Sequence, residues 1–240
     1  MLTAWVSIAV VAAGACSLVL LGRRFADGGR SVVARNMRYQ PIALGVAVLA
    51  VLAVRLLVPE HADYLAVGDW SAPVSGMAWL GVADGDSWAT VGLTFLVIMT
   101  VVTAVTVWLQ VGRKAGVGFP ALLRAVPVGL LFALVNALAE ELLFRLAVTE
   151  ALAPVASMTV VAVVSAILFG VPHWFGNPGR LVGVMLAGFL GWFLALSVLQ
   201  TGGLGWALMI HVTLDVVIFT ILVAADSARA RTASPQPVRT

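Results

Sequence analysis

Residues 127–148 read PVGLLFALVNALAEELLFRLAV, a run long and apolar enough to cross a bilayer. Its second half nevertheless carries Glu140, Glu141 and Arg145. On insertion scales a charged residue at the centre of a membrane helix costs on the order of 2.5–3.5 kcal/mol. Such charges persist where they face one another or a cavity, and they commonly mark a working site.

The rest of the chain agrees with a membrane location. Of its 240 residues, 62% are hydrophobic and 10% charged, against about 25% charged in a soluble domain. Six further apolar stretches join the first, giving spans near 2–22, 40–58, 88–111, 126–152, 155–173, 181–200 and 205–224. The expected fold is therefore all-α, a polytopic transmembrane bundle of about seven spans, with eight as the alternative. The first span has no basic segment before it and is followed by arginines, the pattern of an uncleaved anchor. The single cysteine, Cys16, excludes an internal disulfide.

Basic residues fix the expected orientation. Arg23, Arg24, Arg30, Arg35 and Arg38 fall between spans one and two; Arg113, Lys114 and Arg124 between three and four. Arg180 lies between five and six, and Arg229, Arg231 and Arg239 in the tail. All lie on one side of a seven-span arrangement. The 59–87 loop on the other side carries Glu60, Asp63, Asp69, Asp84 and Asp86 and no Lys or Arg. The positive-inside rule places the N-terminus outside and the C-terminus in the cytoplasm. Arg55, near the outer end of span two, is expected to snorkel, and residues 225–240 are expected to be disordered. The arginines line a membrane edge, so lipid rather than nucleic acid is the expected partner.

Polar residues inside the spans form three groups: Glu140-Glu141-Leu142-Leu143-Phe144-Arg145, Phe169-Gly170-Val171-Pro172-His173, and His211-Val212-Thr213-Leu214-Asp215. The remaining histidine, His61, falls in the outer loop. Glu141 and Arg145 are spaced for an i,i+4 ion pair with the acid N-terminal. Glu140 is rotated by about 100° from its neighbour and has no such partner. Asn136 and Ala137 beside it leave room. A carboxylate of this kind suits general base and acid work. At 1.5 Å per residue, Glu140 lies about 20 Å and His173 about 27 Å from the outer turn at Ala153-Pro154, while His211 and Asp215 lie about 9 and 15 Å in from the same side. Tilt or a broken helix is needed to bring them together. Singly, each group has a plain structural reading: a clip for Glu141–Arg145, an interfacial His173, a packing pair for His211 and Asp215.

In that order, Glu-Glu-x-x-x-Arg, Phe-x-x-x-His and His-x-x-x-Asn/Asp resemble the CPBP family, which covers type II CAAX prenyl endopeptidases and bacteriocin-processing or immunity-type membrane proteases. The resemblance spans roughly residues 125–220. It divides the chain into N-terminal helices without motif (1–124), a protease core (125–224) and the tail. It implies a metal-independent intramembrane endopeptidase in the plasma membrane, needing no cofactor, that cuts membrane-associated, prenylated or leader-peptide substrates near the cytoplasmic face. Glu140 and His173 would activate water, His211 and Asp215 would flank the oxyanion, and Glu141 and Arg145 would support the site. Asp215 departs from the asparagine version and could instead hold His211 in a donating state. Two other readings remain: a zinc protease using Glu140, His173 and His211, although no HExxH is present, and a non-catalytic immunity or scaffold protein.

Overall fold

The structure, a computed structural model, describes residues 2–26, 31–59, 63–176 and 179–233. These form α1 (Leu2–Ala26), α2 (Val32–Leu57), α3 (Trp88–Val107), α4 (Phe119–Glu141), α5 (Ala147–Leu152), α6 (Met158–Gly170), α7 (Arg180–Thr201) and α8 (Gly205–Ala233). π-helical turns at Trp108–Gly112 and Leu142–Leu146 extend α3 and join α4 to α5, and a 3₁₀ turn at Val171–Phe175 follows α6. Among the described residues, the helical stretches long and apolar enough to cross a membrane number 7. The helix starts are written in the sequence: Ser31, Ser87 and Ser157 accept hydrogen bonds from Ala34 N, Ala89 N and Val160 N. Glycine ends α7, where Gly202 adopts φ 73°.

Two boundaries differ from expectation. Helix α2 begins at Val32, not near 40, so Arg35 and Arg38 ride on its first turns. Its early polar residues find partners: Asn36 Nδ2 donates to Val32 O at 2.9 Å, and Gln40 Nε2 to Phe132 O of α4 at 3.1 Å. Helix α8 continues through 225–233, where disorder was expected. The Asp226 carboxylate accepts from Val32 N at 2.9 Å, so the extension docks on the N-terminus of α2, where a negative charge is favoured. The readings made for Arg30, Glu60, His61 and 234–240, including Arg239, lie outside the described residues.

Small residues set the close helix contacts. A Cβ on Gly129 would stand 2.5 Å from Thr220 Oγ1, which brings the backbones of α4 and α8 together. One on Gly170 would stand 2.8 Å from the Val184 carbonyl and 3.0 Å from Gly188 Cα, so α6 and α7 touch along their backbones. Between helices already surrounded by lipid, such packing supplies much of the association energy.

The acidic segment after α2 is seated on the α7–α8 turn. Leu204 N donates to Ala66 O at 2.8 Å, Gly205 N to Val67 O at 2.9 Å and Asp69 N to Thr201 O at 2.8 Å. Gln200 Oε1 accepts from Trp88 Nε1 at 3.0 Å and from Ser75 N at 3.1 Å. Arg55 does not merely snorkel. Its guanidinium grips the fully buried Glu150 of α5 at 2.6 and 2.9 Å and reaches Asp63 at 3.0 Å, tying α2, α5 and the loop together.

Candidate active site

The break between α4 and α5 positions the first group of charges. Ala147 N bonds to Leu142 O, a π-type step that widens the helix just after Glu141. Ser165 of α6 donates to Phe144 O at 2.7 Å and so satisfies a carbonyl within the widened turn. Across this stretch the side chains of Glu141 and Arg145 are fully buried, whereas Glu140 keeps 22% exposure.

His211 of α8 is the junction. Its Nδ1 lies 2.6 Å from Glu141 Oε1, and its Nε2 lies 3.4 Å from Glu140 Oε2 and 3.7 Å from Asp215 Oδ2. With carboxylate oxygens at both ring nitrogens, the imidazole is placed to donate from each. Asp215 in turn accepts from Asn136 Nδ2 at 3.0 Å. Five residues of the cluster, Asn136, Glu140, Glu141, His211 and Asp215, thus come from α4 and α8, the pair drawn close at Gly129 and Thr220.

Arg145 is seated differently from the simple pair expected. Its Nε is 3.3 Å from Glu141 Oε2, an ion contact without hydrogen-bond geometry. The guanidinium lies over the Phe169 ring at 4.0 Å, a desolvated cation–π contact. Glu141 makes its shorter contact with His211, so the acid serves two side chains rather than one.

His173 stands in the 3₁₀ turn that breaks the helix after α6. Its Nδ1 donates to Phe169 O at 2.8 Å. A carbonyl can only accept, so the proton on Nδ1 is fixed and Nε2 is left as the working nitrogen. Phe169 therefore touches three functional side chains: Arg145, His173 at 4.7 Å between ring centroids, and His211 at 5.7 Å.

Glu140, Asn136 and His173 line one cavity of about 370 Å³. The broken helices bring Glu140 and His173 to this common space, which straight helices would not. The opposite wall was missed in the sequence. It comes from Ala15, Leu18 and Gly22 of α1 and from Asn36, Tyr39 and Ala43 of α2, with Arg23 and Arg35 alongside. The available signal was Asn36, Tyr39 and Gln40 beside an apolar run, polar groups whose placement in a membrane helix asks for a cavity or a partner. Glu150 was missed as well, since its partner lies far away in sequence. Among the described residues, no three His, Cys, Asp or Glu side chains, Glu140, His173 and His211 included, are grouped as a metal site requires.

The fold and site define an all-helical membrane protein with carboxylates, histidines and an arginine gathered in its interior. Residues 122–217 match the family model described as Type II CAAX prenyl endopeptidase Rce1-like, so this stretch is similar to a protease family, which supports a peptidase. The match runs from α4 into α8, the stretch that holds all three motifs. No curated protein and no solved structure matches the chain.

Proposed function

We propose that the chain is a metal-independent intramembrane endopeptidase in which Glu140 and His173 activate a water molecule. The observation that carries this reading is the shared cavity: the one partly exposed acid of the cluster and a histidine with a free Nε2 line the same space. The Glu140 carboxylate takes a proton from water as the oxygen attacks the scissile carbonyl carbon, with His173 Nε2 sharing that proton. His211 donates to the oxyanion that forms, with Glu141 behind its other nitrogen. Asp215, held by Asn136, keeps the His211 ring in place. The carbon–nitrogen bond then breaks as the proton passes to the departing amine. Glu141 and Arg145 act as supports, since both are sealed from the cavity.

Residues 125–224 form the protease core in this reading. The cavity is lined in part by Arg23 and Arg35, which the positive-inside rule assigns to the cytoplasmic side, and in this reading the enzyme works in the plasma membrane on peptides in or at the bilayer. The experiment is Glu140→Gln in purified protein with a membrane-anchored peptide library, with chelator present throughout. Cleavage should fall by about 10²–10⁴-fold, the range for loss of a general base, with unchanged melting. Turnover equal to wild type would sink the mechanism. Loss of wild-type activity on chelation, restored by zinc, would sink its metal independence.

A further inference from the structure

The polar groups of the cluster do not all face the cavity. Asn136, Glu140 and His173 line it, whereas His211 and Asp215 lie outside the lining and are 4% and 6% exposed. His211 Nε2 already faces Glu140 Oε2 at 3.4 Å and Asp215 Oδ2 at 3.7 Å. His211 therefore meets an oxyanion from behind, and the cavity side of that oxyanion is left to another donor.

Asn136 is suited to be that donor. Its Nδ2 donates to Asp215 Oδ2 at 3.0 Å, the one hydrogen bond of this amide among the described residues. A primary amide nitrogen carries two hydrogens, so one is still available. Because a carboxylate only accepts, Asp215 fixes which end of the amide carries nitrogen. Asn136 precedes Glu140 by one turn of α4, and residues so spaced stand about 5–6 Å apart on one helix face. That interval seats a water at Glu140 beside the carbonyl it attacks. The other amide in the lining, Asn36, already donates from Nδ2 to Val32 O at 2.9 Å, and Tyr39 stands on the facing wall.

We propose that the second N–H of Asn136 donates to the oxyanion, which makes Asn136 a further catalytic residue beside His211. The inference rests on the endopeptidase reading. As the water oxygen bonds to the scissile carbon, its proton goes to Glu140 and the carbonyl π pair moves onto oxygen. The Asn136 N–H meets that charge and releases it when the carbon–nitrogen bond breaks. Asp215 acts through Asn136 as a positioning residue. A contact that tightens only as charge develops is lost from kcat and leaves KM alone.

The test measures kcat and KM separately, with the full chain in phosphatidylcholine nanodiscs and a peptide taken from an acyl-anchored library by its cleavage in wild type. Asn136→Ala should lower kcat about 10²–10³-fold with KM within about twofold, the size of losing one oxyanion donor. Asn136→Leu keeps the volume and should match it, with unchanged melting. The Asp215→Ala background separates donation from support. A residue that only held Asp215 has nothing left to hold there, whereas loss of the donor should still cost about tenfold or more. No further loss in that background overturns the proposal, and so does a loss that falls on KM. If Tyr39→Phe carries the kcat loss and Asn136→Ala does not, the donor belongs to α2; the proposal falls and the protease reading stands. If wild type cleaves no peptide in the library, the endopeptidase reading fails and takes the donor with it.

Discussion

Replacing Phe169 by leucine keeps most of the side-chain volume and removes the aromatic face beneath Arg145. Phe169 is 1% exposed, and its ring lies 4.0 Å from the guanidinium and 5.4 Å, edge to face, from Phe144. Apolar transfer contributes little between membrane helices, because lipid is as apolar as the protein interior. What remains is about 2 kcal/mol for a desolvated cation–π contact and about 1 kcal/mol for the aromatic pair, so about 3 kcal/mol in all. For a chain of this size that corresponds to a fall in Tm of about 6–12 °C in detergent micelles. Phe144→Leu, which spares the Arg145 contact, should cost about 1 kcal/mol. A double-mutant cycle between Phe169→Leu and Arg145→Met isolates the contact and should return a coupling of about 2 kcal/mol. A coupling below about 0.5 kcal/mol would refute the seat assigned to Arg145, since that is the level at which independent sites add.

Three more expectations concern the same helices. Asp215→Asn should retain cleavage within about threefold, since the new amide oxygen can still accept from Asn136, while Asp215→Ala should cost about tenfold or more; a matched peptide assay compares them. Glu150→Ala leaves Arg55 with only Asp63 and should cost about 2 kcal/mol, less than a wholly buried pair because Arg55 is 28% exposed; Glu150→Leu with Arg55→Met should return to within about 1 kcal/mol of wild type on melting. Gly170→Val meets the Val184 backbone and should cost about 1–3 kcal/mol, whereas Gly45→Ala, with nothing within 4 Å of its Cβ, should stabilise α2 by about 0.5–1 kcal/mol.

The spans were legible because each is a continuous apolar run, and the serines that start α2, α3 and α6 are local signals. The motif residues were legible because charge in such runs is costly. Their pairing was less so. Local spacing gave Arg145 as the partner of Glu141 and offered none for Glu140, yet His211 of α8 reaches both acids. Helical spacing sees only one helix at a time, while this contact depends on the close approach of α4 and α8 at Gly129. The π turn and the 3₁₀ turn at His173 were needed to reconcile the unequal depths, but neither has a distinctive composition. The continuation of α8 beyond 224 was hidden because its polar, arginine-bearing sequence resembles a tail, and Asp226 shows its use only once α2 lies beside it.

The cavity is assembled from two separate parts of the chain. Its side with Glu140 and His173 is built from the segment that matches the family model, and its facing wall comes from α1 and α2, which lie outside that match. Substitutions in α1 and α2 can therefore reshape what fits the cavity without touching the residues around His211. A chimaera that exchanges only those two helices is accordingly the natural unit for engineering selectivity.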